Sequence, residues 1–166
     1  MSILWTRPGL FGDLMLNVRL IAVGKLRESY LQEGLTEYLK RLRPYAKTEI
    51  IEIPDEPDAA LRAKEREGEK ILSRVGPEDY LIALDRQGKQ LSSPEFAAAI
   101  QEWELTGKKP VFVIGGSCGL AEAVLKRANE RWSFSKLTFP HQLFRLMLVE
   151  QIYRAFKIAR GEKYHK

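Results

Sequence analysis

The sequence predicts an α/β fold with a largely parallel sheet covered by helices on both faces. Two observations predict it. Short runs of strand length recur between residues 16 and 139, and each is followed by a segment whose apolar residues fall at helical spacing. Strands that alternate with helices in this way pair in parallel and bury both faces of their sheet.

Each element follows from local pattern. Leu16–Val23 is an apolar run closed by Gly24 and reads as a buried strand. A helix follows with Leu31, Leu35, Tyr38, Leu39 and Leu42 on one face, stopped by Pro44. Glu49–Ile53 sets Ile50, Ile51 and Ile53 among acids and ends at Pro54, which makes a second strand. Residues 59–75 are charge-laced, with Leu61, Leu72 and Val75 as apolar contacts, and predict a surface helix. Tyr80–Leu84 is a third strand, followed by the loop Asp85–Lys89. Ser92 or Ser93 caps the next helix, with Pro94 at its start, Glu95 placed for a capping box from Ser92, and Phe96, Ile100 and Trp103 inward. Pro110–Ile114 is a fourth strand, residues 120–131 a helix, Ser133–Phe139 a fifth strand, and His141–Arg160 the last helix.

Bulk properties narrow the class. A chain of 166 residues predicts one domain, here residues 15–166. With 45% hydrophobic and 30% charged residues, the composition is that of a soluble globular protein. No run is long and apolar enough to span a bilayer. The one cysteine, Cys118, has no partner for an intrachain disulfide or a zinc site, and a reducing, cytoplasmic setting is expected, with no metal. Residues 1–14 have no periodicity and no continuous apolar core of a signal peptide. They read as a disordered extension, a cloning scar or an upstream start.

The net charge is +5, and the segment from Lys136 to Lys166, with seven basic and two acidic residues, holds all of the excess. A basic terminus on a near-neutral body points to an anionic partner, RNA first, or to a solvated tail.

In an open α/β sheet, ligands bind beyond the carboxyl ends of the strands. Three segments meet that description: Leu84 to Lys89, the glycine loop Gly115-Gly116-Ser117-Cys118-Gly119, and Phe134-Ser135-Lys136-Leu137-Thr138-Phe139 running into Pro140-His141. Glycines let backbone amides approach a ligand, yet this loop is neither a dinucleotide fingerprint nor a P-loop. Taken alone it reads as a tight strand-to-helix turn.

The last helix is unusual. Its first half, Leu143 to Val149, is apolar nearly all round and must be covered on every side, by the core or by a second subunit. Arg145 and Glu150 would be expensive to bury unpaired and are expected to pair with each other or across an interface. The second half carries Arg154, Lys157 and Arg160 three apart, and the chain ends in a Tyr-, His- and Lys-containing tail. Such a tail suits base stacking and phosphate contact, or is disordered.

With these segments assembled, the sequence resembles the bacterial large-subunit rRNA pseudouridine-N3 methyltransferase H family, within the SPOUT (α/β-knot) superfamily. The matching segments are LNVRLIAVGK (16–25), LDRQGKQLSSPEFA (84–97), VFVIGGSCGL (111–120) and SFSKLTFPHQLFRLMLVEQIYRAFKIARGEKYHK (133–166). No departure from the family pattern occurs in them. The resemblance implies a deep C-terminal trefoil knot, which no periodicity argument would propose. It implies S-adenosylmethionine as the methyl donor, held by Leu84, Gly115 and Phe134 to Phe139, Ser135, Lys136, Leu137 and Thr138 included. It also implies a homodimer and a pseudouridine of large-subunit rRNA, met on the ribosome, as substrate.

Roles follow from the chemistry of that reaction. The N3 proton must leave for the nitrogen to attack. A nearby cation favours the deprotonated base, and a proton acceptor takes the proton. Arg154 is expected in the first role and His165 in the second, with Tyr164 positioning the ring. His141 is expected to shape the pocket. The rival readings are a non-catalytic ribosome-binding or rRNA-binding protein and a monomeric Rossmann-like nucleotide enzyme.

Overall fold

The computed structural model describes residues 15–57 and 62–164. The extension 1–14, residues 58–61, and His165 with Lys166 lie outside them. Strands β1 (Leu16–Val23), β2 (Ala46–Ile53), β3 (Asp79–Gln90), β4 (Lys109–Ile114) and β5 (Glu130–Ser133) form one sheet in the order β2-β1-β4-β3-β5, with every pairing parallel. The helices between and after them are α1 (Ser29–Leu42), α2 (Ala63–Leu72), α3 (Ser93–Thr106), α4 (Glu122–Arg127) and α5 (His141–Ala159).

The two faces of the sheet bury alternate residues of the same strands. Leu20, Ala22, Ile82, Phe112 and Ile114 face the larger core beneath α1, α3 and α5. Ile21, Val23, Leu81, Ala83, Val111 and Val113 face the smaller core beneath α2 and α4. The larger core is aromatic: Trp103 stacks on Trp132 at 5.7 Å between ring centroids, and Phe96 meets Trp132 edge-on at 5.0 Å. The α3 cap forms as its sequence requires. The Ser92 hydroxyl accepts from the Glu95 amide at 3.2 Å, and the Glu95 carboxylate accepts from the Ser92 amide at 2.7 Å.

Three predicted boundaries are corrected. Residues 85–89 are not a loop but part of β3, which bulges after Leu84 and resumes pairing with β5 at Lys89–Trp132 and Gln90–Ser133. Gly88 permits this, because a Cβ there would meet the Arg131 carbonyl carbon at 2.6 Å and the Trp132 nitrogen at 2.7 Å. The fifth strand is Glu130–Ser133 rather than Ser133–Phe139. Residues 134–139 have strand-like composition, but β5 is an edge strand and offers them no further neighbour. The helix expected at 120–131 is trimmed to α4, because Asn129 and Glu130 are drawn into the sheet edge, with the Asn129 amide donating to the Leu81 carbonyl at 2.8 Å.

Candidate functional site

Adjacent strands β4, β3 and β5 meet in register where β4 ends and β3 begins to bulge: Ile114 pairs with Leu84, and Leu84 with Trp132. The chain beyond these three positions therefore converges on one spot. A cleft of about 450 Å³ lies there, within the range of small-molecule sites. Leu84, Asp85 and Arg86 line it from β3, residues 115–120 from the glycine loop, and Phe134, Ser135, Leu137, Thr138 and Phe139 from the last loop. His141 and Phe144 close it from α5.

Each wall is held from behind. The glycine loop turns back on itself, the Gly119 amide donating to the Gly116 carbonyl at 3.0 Å. A Cβ on Gly115 would fall 2.7 Å from the Gly119 carbonyl carbon, so no side chain fits there and the main chain itself faces the cleft. Below Gly116 lies the buried carboxylate of Glu67, whose Oε1 also accepts from the Glu56 amide at 3.2 Å. The loop 134–139 is fixed by the Ser133 hydroxyl donating to the Ser135 carbonyl and the Ser135 hydroxyl accepting from the Leu137 amide, both at 3.0 Å. Phe144 packs edge-on against Phe134 at 4.9 Å and parallel to Phe139 at 6.2 Å.

The start of α5 is bolted to the ends of β1 and β2, at the same carboxyl edge of the sheet. Arg145, only 1% exposed, donates to Glu52 Oε2 at 2.6 Å and to the Gly24 carbonyl at 3.0 Å. The same Glu52 oxygen accepts from the Leu26 amide at 2.8 Å, and Gln142 Oε1 accepts from the Arg27 amide at 3.3 Å. Burial pushes the Glu52 carboxyl up, but the Leu26 amide and Arg145 outweigh it and hold it below the usual carboxylate range. The expectation that Arg145 pairs with Glu150 is thus overturned. Side chains five apart on a helix point in different directions, and Arg145 reaches the core side instead.

Glu150 pairs instead with Arg154, one helical turn on, at 2.5 Å. Tyr164 joins them, its hydroxyl 3.1 Å from Glu150 Oε1 and 3.3 Å from the Tyr38 hydroxyl, its ring 4.9 Å below the Arg154 guanidinium. Burial, the Tyr38 hydrogen bond and the Glu150 charge push the Tyr164 phenol up, so it stays protonated at neutral pH. The expected basic face of α5 is therefore neutralised: Lys157 pairs with Glu162 at 2.6 Å and Arg160 with Glu104 at 2.8 Å.

Most of the residues expected at a cofactor site do meet: Leu84, Gly115, Phe134, Ser135, Leu137, Thr138 and Phe139 share the cleft, while Lys136 projects from the same loop without lining it. Arg154 and Tyr164 come together, but not among the cleft's lining residues, and His165 lies outside the described residues. The Arg154–Tyr164 cluster borders a second cavity of about 490 Å³, lined by Tyr38 and Glu150 and sharing the wall Trp132-Ser133-Phe134 with the cleft. Sequence reasoning named Arg86 only as part of the segment Leu84 to Lys89, and missed Trp132 and Phe144 as cleft residues. Among the described residues no group of His, Cys, Asp or Glu could hold a metal, and no helix is long and apolar enough to cross a membrane.

A parallel α/β sheet with a cleft beyond the carboxyl ends of adjacent strands is the arrangement in which such folds bind a ligand. Residues 16–165 match the family model described as predicted SPOUT methyltransferase. The chain is 53% identical over 160 residues to "Ribosomal RNA large subunit methyltransferase H" of Desulfitobacterium hafniense, covering 92% of this chain and 100% of that protein. To the protein of the same name from Listeria monocytogenes it is 55% identical over 159 residues, covering 91% and 100%. The chain belongs to the SPOUT methyltransferases and, within them, to the ribosomal RNA large subunit methyltransferase H family. The fold is shared with a probable methyltransferase from Bordetella pertussis (TM-score 0.55, 13% identity, 86% of this chain and 96% of that one). It is also shared with the tRNA (m1G37) methyltransferase of Aquifex aeolicus (TM-score 0.52, 13% identity, 83% and 69%).

Proposed function

We propose that this chain is a cytoplasmic enzyme that transfers a methyl group from S-adenosylmethionine to N3 of a pseudouridine in large-subunit ribosomal RNA. The observation that carries this reading is the convergence of three strand-end loops on one cleft in a chain over half identical to methyltransferases of that RNA. The cleft suits the donor chemically. Phe134, Phe139 and Phe144 provide aromatic surface for an adenine, and the main chain at Gly115 and in residues 134–139 supplies amides and carbonyls for its polar edge. Leu84, Gly115, Phe134, Ser135, Leu137, Thr138 and Phe139 would hold it, with Lys136 at the mouth.

When bound, the donor supplies a sulfonium-activated methyl group for an in-line displacement, which needs no metal. The chain's own share is alignment and proton handling. Arg154 would stabilise the N3 anion of the base, Tyr164 would orient the ring as a protonated hydrogen-bond donor, and His165 would accept the N3 proton. Arg154 and Tyr164 do not line their own chain's cleft, which supports a reaction site shared between two copies. The apolar strip on α5 also supports a homodimer, because Leu143 is 36% exposed and Leu146 and Met147 are half-buried. The implied trefoil knot belongs to the same proposal: its threading would place loops 115–120 and 134–140 together.

Incubation with labelled S-adenosylmethionine and ribosomes carrying or lacking pseudouridine tests the reading. Label is expected only in pseudouridylated large-subunit RNA. RNA binding without donor binding in titration calorimetry would establish a non-catalytic RNA-binding protein instead.

A further inference from the structure

The charge of this molecule is not where its sequence placed it. On α5, Arg154, Lys157 and Arg160 each face an acid, and Arg145 is buried against Glu52. The cations left without an acid within 4 Å, among the described residues, include a group at the carboxyl edge of the sheet. Lys25 and Arg27 stand on the loop after β1, Arg86 and Lys89 on the far end of β3, and Lys136 on the loop after β5. All five are exposed.

Topology makes them neighbours of one mouth. The strands are parallel and adjacent in the order β1-β4-β3-β5, so these segments all leave the same edge. Arg86 lines the cleft itself. The Arg27 amide is held by Gln142, next to the cleft residue His141, and a Cβ on Gly24 would lie 3.6 Å from His141 Nε2. Segments 24–28, 85–90, 115–121 and 134–140 together hold five basic and two acidic side chains, Glu28 and Asp85 being the acids. The segment after β2, beyond β1 from the cleft, adds Asp55 and Glu56, the latter paired with Lys70. Tyr30, 65% exposed at the start of α1 and three residues after Arg27, adds an aromatic ring to this edge. Exposed cations interleaved with an unpacked aromatic ring are the footprint of a single-stranded nucleic-acid track.

We propose that Lys25, Arg27, Arg86, Lys89 and Lys136 form the phosphate-binding rim that seats the RNA backbone across the cleft mouth, with Tyr30 stacking on a flanking base. The basic face of α5 does not supply this contact, since its charges are already compensated. The proposal rests on RNA being the substrate and names the surface that receives it. A phosphate track around the mouth holds the target base over the cleft while the aromatic walls remain for the methyl donor.

The test uses the full chain in charge-reversal pairs, Lys25→Glu with Arg27→Glu and Lys89→Glu with Lys136→Glu, and the neutral pair Lys25→Ala with Arg27→Ala. Lys109→Glu, exposed at the opposite edge, is the control. Binding to protein-free large-subunit RNA is followed by filter retention against salt, and methyl transfer to ribosomes is followed separately. Each rim pair is expected to raise the RNA Kd and the ribosome KM by about tenfold or more. The salt slope should fall by about 0.7–0.9 per cation lost. Titration calorimetry should show donor affinity within twofold of the parent for both Lys25 and Arg27 pairs, and Lys109→Glu should match the parent throughout. Rim pairs that bind RNA as the parent does, or a larger loss from Arg160→Glu with Lys163→Glu, would overturn the proposal. A parent chain that shows the rim-dependent slope but transfers no methyl group would sink the proposed reaction and leave the rim standing.

Discussion

Arg145 and Arg154 are the same residue type on the same helix, and the fold uses them in opposite ways. Arg145 is sealed, and its partners lie far along the chain: Glu52, 93 residues away, and the Gly24 carbonyl, 121 residues away. Arg154 is part-buried, and it pairs with Glu150 four residues before it and lies over the ring of Tyr164. A guanidinium bonded across elements of distant sequence holds the tertiary structure together. One whose carboxylate partner lies on its own helix can be redirected toward a substrate at less cost to the fold. The comparison teaches that burial and partner distance, not residue type, separate a structural arginine from a chemical one.

Four substitutions separate the two arginines experimentally. The largest effect is expected at Arg154→Ala, which should lower kcat by about 10²–10³-fold, as removal of a charge-stabilising donor does. Its stability should change by less than about 1 kcal/mol, because a helical i,i+4 pair contributes little. Turnover and urea unfolding check the two halves, and a normal kcat would dissolve the distinction. Arg145→Ala should show the reverse, a loss of about 3 kcal/mol in unfolding free energy, the lower end for breaking a buried pair because Glu52 is partly solvated. The loop 134–141 should loosen with it, raising the donor KM more than it lowers kcat.

A smaller effect belongs to Tyr164→Phe. It keeps the ring over Arg154 and removes the hydroxyl bonds to Glu150 and Tyr38, so kcat should fall by roughly threefold to tenfold, the size of one hydrogen bond. The smallest is a pH effect at Glu52. Its carboxyl titrates lower in the folded state than in the unfolded one, so the stability it contributes is present above the ordinary carboxylate pKa. That contribution is lost as the pH falls through the folded value. Glu52→Gln should therefore be less stable than the parent at pH 7 and converge toward it in acid, as read by unfolding midpoints at stepped pH.

Much of the fold was legible in the residues. The β1 run, the α1 face of Leu31, Leu35 and Leu42, and the Ser92–Glu95 box needed only local pattern, and all formed. The extension of β3 did not. Its polar residues 85–90 are in a strand because β5 lies beside them, and pairing partners are invisible to periodicity. The run 134–139 erred in the other direction, strand-like in composition but with no neighbour to pair with. The cleft residues were readable one loop at a time, whereas Trp132 and Phe144 entered the site only through register and helix packing.

By itself the sequence determined the sequence of elements, the two buried faces of the strands and the family, because these depend on spacing and residue type along the chain. The tertiary structure alone decided which charges are spent and which are free. It buried Arg145 against Glu52, set Glu162 and Glu104 on the cations of α5, and left Lys25, Arg27, Arg86, Lys89 and Lys136 exposed at the carboxyl edge of the sheet. The physical reason is range. Hydrophobic periodicity is written in neighbouring residues, but an ion pair is made by whichever opposite charge the fold carries within a few ångströms.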